Sequence, residues 1–131
     1  MFNSKSKSSP IDSLIGAGSS IDGDIRFTGG LRIDGTVRGN IYCEADQPGR
    51  LELSERAHVE GEIHVARIVI NGAVVGPVYA AEYVELMPKA RVTGDVNYKS
   101  IEVHVGAIVT GRLIHTDAPE PRVLEFKATT V

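Results

Sequence analysis

The sequence predicts an all-β protein, a single domain built as a parallel β-helix of about six triangular coils. Two observations predict it. A phrase of the form apolar-x-Gly-x-apolar recurs six times, with its glycines at Gly23, Gly39, Gly61, Gly76, Gly94 and Gly111, spaced by 16, 22, 15, 18 and 17 residues. A repeat of this kind marks a solenoid, in which each copy buries its apolar side only against its neighbours. Each copy also alternates strictly between apolar and polar residues, which is strand periodicity with one dry and one wet side.

The copies follow in order. The first reads Ile21-Asp22-Gly23-Asp24-Ile25. In the second, Leu31, Ile33, Gly35, Val37, Gly39 and Ile41 share the inward parity, and Arg32, Asp34, Thr36, Arg38 and Asn40 take the other. The third continues with Leu51, Leu53, Ala57, Val59, Gly61 and Ile63, and the fourth with Ile68, Ile70, Gly72, Val74, Gly76 and Val78. The fifth has Val84, Leu86, Ala90, Val92, Gly94 and Val96, and the sixth Ile101, Val103, Ala107, Val109, Gly111 and Leu113. Two inward positions per copy are Gly or Ala, as expected at corners where the wall of a narrow tube bends. Some 17 residues make three short strands and three bends, and coils stacked ~4.8 Å apart give a rod roughly 30 Å long.

Corners differ in length. Asp34-Gly35 and Asn71-Gly72 are tight, whereas Ser54-Glu55-Arg56-Ala57, Met87-Pro88-Lys89-Ala90 and His104-Val105-Gly106-Ala107 are two residues longer, which preserves strand parity. Residues 44–49 fall in the longest interval and read as a surface loop. Asp-Gly and Asn-Gly are also hairpin signals. A meander of hairpins, however, needs no glycine at the same phase in every unit.

Composition bounds the rest. Aromatic residues make up 5% and Trp is absent, so the core must be stacked Val, Ile and Leu. A net charge of −3 with pI near 5.8 gives no reason to expect nucleic acid as a partner. Cys43 is alone, which rules out an intramolecular disulfide. No apolar run approaches the ~20 residues of a membrane span, and no signal peptide is visible, so the cytosol is the default compartment. Residues 1–13 and 116–131 do not repeat and read as disordered tails flanking a core over 14–115. Val123, Leu124 and Phe126 leave two alternatives for the C-terminal segment: packing back over the last coil, or binding a partner.

A solenoid without capping helices presents open strand edges and uncapped apolar layers at both ends. End-to-end self-association is therefore expected, through Leu14, Ile15, Ile21, Ile25 and Phe27 at one end and Ile108, Val109, Leu113 and Ile114 at the other.

The phrases Leu14-Ile15-Gly16-Ala17-Gly18, Gly30-Leu31-Arg32-Ile33-Asp34-Gly35, Ala90-Arg91-Val92-Thr93-Gly94-Asp95-Val96 and Gly106-Ala107-Ile108-Val109-Thr110-Gly111, in this order, resemble the bactofilins. The resemblance covers about residues 14–115. It implies a bacterial cytoskeletal protein with a right-handed β-helix core, polymerising without nucleotide into filaments that lack polarity. It also implies a place at the inner face of the cytoplasmic membrane, with cell-wall enzymes or polar machinery as clients. Met1 and Phe2, followed by Lys5 and Lys7, look like the membrane-targeting peptide of that family.

Other chemistry is weaker. Residues 15–38 parse in sixes like a hexapeptide-repeat acyltransferase, but the parse fails after Arg38. Gly16-Ala17-Gly18 and Gly29-Gly30 lack the Gly-Lys-Ser/Thr and helix of a phosphate loop. His58, Glu60, Glu62 and His64 share one parity and suggest a metal, but a bend at Gly61 splays them and a solvated face is favoured. His104 and His115 read as surface residues without companions. Arg38 is expected over Glu60, and Asp95 beside Arg112. Val69, Ala73, Val75 and Tyr79 in the fourth coil and Ile108 and Ile114 in the sixth point outward, as unpartnered strand residues or as a lateral surface. No enzyme activity, cofactor or metal is expected. The competing function is a monomeric or closed-oligomer adaptor.

Overall fold

The computed structural model describes residues 11–43, 49–116 and the backbone of residues 122–126. No helix occurs among them. Coil one is β1 (Ile11–Ile15), β2 (Ser20–Asp22) and β3 (Ile25–Phe27). Coil two is β4 (Gly30–Ile33), β5 (Thr36–Arg38) and β6 (Ile41–Cys43). Coil three is β7 (Arg50–Leu53), β8 (His58–Glu60) and the first half of β9 (Ile63–Ile70). From there the third corner is strand throughout. The second half of β9 opens coil four, which continues with β10 (Ala73–Val75) and the start of β11 (Val78–Leu86). Coil five takes the rest of β11, β12 (Arg91–Thr93) and the start of β13 (Val96–Val103). Coil six takes the rest of β13 and both faces supplied by β14 (Ile108–His115).

Three parallel faces result. The first stacks β1, β4, β7, β9, β11 and β13; the second β2, β5, β8, β10, β12 and β14; the third β3, β6, β9, β11, β13 and β14. Register keeps like over like. On the second face Ile21, Val37, Val59, Val74, Val92 and Val109 are successive partners. On the third, Ile25, Ile41, Ile63, Val78, Val96 and Leu113 are. The core is these columns of Val, Ile and Leu, with Ala at corners and Tyr98 near the last coil. Each fully buried Val, Leu or Ile contributes about 1.5–3 kcal/mol, so stability is carried by coils two to six, where the buried side chains lie.

The corner glycines have a different cause from the one expected. Gly39, Gly61, Gly76, Gly94 and Gly111 do not fill tight space inside the tube. They are half-buried, and each stands on the backbone of the coil before it. At Gly94, φ is +141° and an added Cβ would lie 2.5 Å from the Gly76 carbonyl oxygen. The constraint runs along the rod axis. The first corner adds a second rule: the short corner at Gly72 nests over the long one of coil three, where a Cβ would meet the Ser54 and Ala57 carbonyls at 2.4 and 2.6 Å.

Beyond coil six, β15 (Arg122–Phe126) pairs antiparallel with the second half of β14, Leu124 opposite Leu113. Of the two alternatives for the C-terminal segment, this backbone takes the packed one.

Candidate assembly interface

The two ends of the rod are unequal. At the first, β1, β2 and β3 each have one strand neighbour, so all three edges are open among the described residues. Inward Ile15, Ile21, Ile25 and Phe27 are half-buried there, while the partners of the three isoleucines one coil on, Ile33, Val37 and Ile41, are fully buried, and Cys43, the partner of Phe27, is half-buried. An apolar layer therefore lies unfinished. Leu14 does not belong to it. It shares the outward parity of its partner Arg32 and is 61% exposed on the side of the rod.

At the other end β14 is open over Ile108, Val109 and Thr110, but its second half carries β15. Val109 and Leu113, expected as open residues, are only 1% and 5% exposed in the single chain. Ile108 and Ile114 align with Arg91 and Asn97 and face outward. The half-buried inward residues of coil six are Ile101 and Val103. Both lie on the inward face as the alternation predicts, but they are absent from the expected end layer, which holds only residues of the last strand of the repeat. The end layer belongs to the whole last coil.

A family model for bactofilins, described as polymer-forming cytoskeletal, matches residues 13–114. The chain belongs to the bactofilin family. It is 32% identical to bactofilin BacO of Myxococcus xanthus over 102 residues, 78% of each chain. It is 31% identical to bactofilin BacP of the same organism over 118 residues, 90% of this chain and 48% of that one. The chain thus spans about half the length of BacP. No solved structure gives a significant match.

The outer surface of this bactofilin core is organised by register. Asp24 and Asn40 side chains accept the backbone N–H of Asn40 and Glu62 in the next coil, both at 2.9 Å, and Asp95 accepts that of Arg112 at 3.0 Å. Pro77, in the same column, has no N–H to offer, and Glu62 instead pairs with His64 at 2.9 Å. Hydrogen bonds from the Arg112 guanidinium and backbone hold the Asp95 carboxyl below the usual carboxylate range. Arg38 aligns with Glu60 as expected, but its guanidinium reaches back to Asp22 at 3.4 Å.

The histidines separate. His58 pairs with Glu60 on the second face and His64 with Glu62 on the third, with the Gly61 corner between them. His64 also lies between the rings of Tyr42 and Tyr79, at 5.2 and 4.5 Å, and Arg26 sits 4.7 Å over Tyr42. His115 accompanies Tyr98 at 5.6 Å. His104 is not without companions: its Nε2 is 2.7 Å from Glu85 and 3.5 Å from Glu102. Glu85 is 19 residues away in sequence, and only the coil register brings it close.

Proposed function

We propose that this chain is a cytoskeletal scaffold that self-assembles end to end, without nucleotide, into filaments lacking polarity at the inner face of the cytoplasmic membrane, where it organises cell-shape or cell-wall machinery. It is not an enzyme in this reading. The open apolar layer of coil one, Ile15, Ile21, Ile25 and Phe27, carries the proposal. Joining it to another copy completes the stack and pairs three open strand edges at once. A joint between like ends is isologous, and alternating like-end joints produce a filament without direction. Membrane contact is assigned to Met1, Phe2, Lys5 and Lys7, which lie outside the described residues.

A second reading is favoured by β15. If β15, which covers one of the three faces of coil six, is enough to block that end, the chain joins only through coil one and stops as a closed dimer, an adaptor rather than a polymer. Sedimentation and negative-stain microscopy in nucleotide-free buffer separate the two. Filaments support the scaffold, discrete dimers the adaptor. Ile25→Lys then tests polarity. It blocks one end only, so like-end joining leaves dimers through the other end, whereas head-to-tail joining leaves monomers. Wild-type protein that remains monomeric at micromolar concentration overturns both readings.

A further inference from the structure

One cluster on the side of the rod is not explained by stacking. On the first face, Glu85 of β11 and Glu102 of β13 are direct register partners. Like charges opposed on adjacent strands repel. Several carboxylates on this bactofilin surface have an arginine partner: Glu52 has Arg50 at 2.9 Å, Glu82 has Arg67 at 3.1 Å, and Asp95 has Arg112 at 2.8 Å, while Glu60 and Glu62 each have a histidine of their own. Among the described residues, neither Glu85 nor Glu102 forms an ion pair with Arg or Lys. Both converge on the single imidazole of His104.

The three groups are held in place. His104 opens the long corner of coil six, where its carbonyl accepts the Ala107 N–H at 3.1 Å. The Tyr83 hydroxyl donates to the other oxygen of Glu102 at 3.0 Å and orients that carboxylate. Side-chain exposures of 24% for Glu85, 34% for His104 and 56% for Glu102 leave the cluster half-sheltered but reachable.

We propose that Glu85, Glu102 and His104 form a binding site for one first-row divalent transition-metal ion, with Zn²⁺ as the reference case, which ties coil five to coil six. One donor atom from each residue lies within 4.8 Å of the other two. Ligands about 2.0–2.2 Å from a tetrahedral ion stand roughly 3.3–3.6 Å from one another. The His104–Glu102 separation of 3.5 Å already meets this, and the His104–Glu85 contact of 2.7 Å opens by under ~1 Å as the ion replaces the hydrogen bond. Solvent completes the coordination. One imidazole and two carboxylates select such an ion over Mg²⁺ or Ca²⁺, which favour all-oxygen shells. The ion neutralises the two stacked charges, a task for which these residues otherwise have one histidine. The site lies within a single chain, so it stands or falls separately from filament formation.

The test is titration of chelator-treated full-length protein with ZnCl₂, and with MgCl₂ for comparison, by isothermal titration calorimetry and by thermal melting. Wild type should take up one Zn²⁺ per chain and melt higher with it, and EDTA should reverse the shift. Glu102→Gln and His104→Gln should each weaken uptake at least about tenfold. His58→Gln, which removes a one-histidine, one-carboxylate pair, should leave uptake unchanged. Glu102→Gln supplies an internal check, because without metal it should melt no lower than wild type, having lost a like-charge contact, yet should no longer respond to Zn²⁺. Absence of saturable uptake up to about 100 µM free Zn²⁺ overturns the proposal. So does uptake that either ligand variant leaves intact.

Discussion

Replacing Gly94 by Ala should destabilise the rod by about 2–5 kcal/mol, far more than a single methyl usually does. Two costs add. A φ of +141° is open to glycine and costs other residues about 1–3 kcal/mol. The new Cβ would lie 2.5 Å from the Gly76 oxygen and 2.7 Å from its carbonyl carbon, so coils four and five must part locally. The bonds at risk are Gly76 N–H to the Thr93 carbonyl at 2.8 Å and Val78 N–H to the Asp95 carbonyl at 2.9 Å. Each contributes about 0.5–1.5 kcal/mol. At roughly 4 °C per kcal/mol the melting temperature should fall by some 8–20 °C. Gly16→Ala is the control: nothing lies within 4 Å of its Cβ, and its loss of unfolded-state freedom should be neutral or raise stability by up to about 1 kcal/mol. Melting of the three proteins at one concentration, followed by circular dichroism, decides. Equal destabilisation by both substitutions would refute the axial-contact argument.

Leu113→Asp should lower the melting temperature as well as disturb assembly, because Leu113 is already buried against Val96; its cost should exceed the ~2–5 kcal/mol of a Leu→Ala change, and melting that matches wild type would place the side chain outside the core. The Asp95 carboxyl is held down by Arg112, so its contribution is complete above the unfolded carboxylate range near ~4 and is lost as pH falls through the lower folded value. Asp95→Asn should flatten that acid limb of a melting-against-pH curve, and an unchanged limb would count against the pairing. Deleting residues 2–7 should abolish co-sedimentation with anionic vesicles while filaments persist, since Phe2 and two lysines make a weak anchor that a polymer multiplies. Ending the chain at Thr116 should lower the concentration at which sedimentable assemblies appear.

The coils were legible because their signals are local. Alternation, the glycine phase and the parity-preserving corners can be read within one copy, and they place Val37, Val59 and Val74 in one column without further help. What was missed depends on contacts between copies. His104 meets Glu85 and Glu102 only through register, and an intervening corner hides that partnership from the linear order. Corner glycines announce a special position but not its direction, since the obstructing carbonyl belongs to the preceding coil. Segment 122–126 belongs to no repeat, and five residues of mixed polarity do not reveal which edge they will pair with.

That last strand changes how the coil-six edge behaves in a crowd. Five residues separate Thr116 from Arg122, so β15 meets β14 as a tethered competitor whose effective concentration is of the order of millimolar. A neighbouring rod offering its own strand to the same edge must exceed that local concentration or the strength of the pairing. In the proposed assembly, joining at coil six over the second half of β14 would therefore be a displacement reaction with a threshold, whereas joining at coil one would be a simple encounter. In the proposed end-to-end assembly, the two ends of one rod would respond differently to dilution, with pairs through coil one persisting after contacts at coil six have let go.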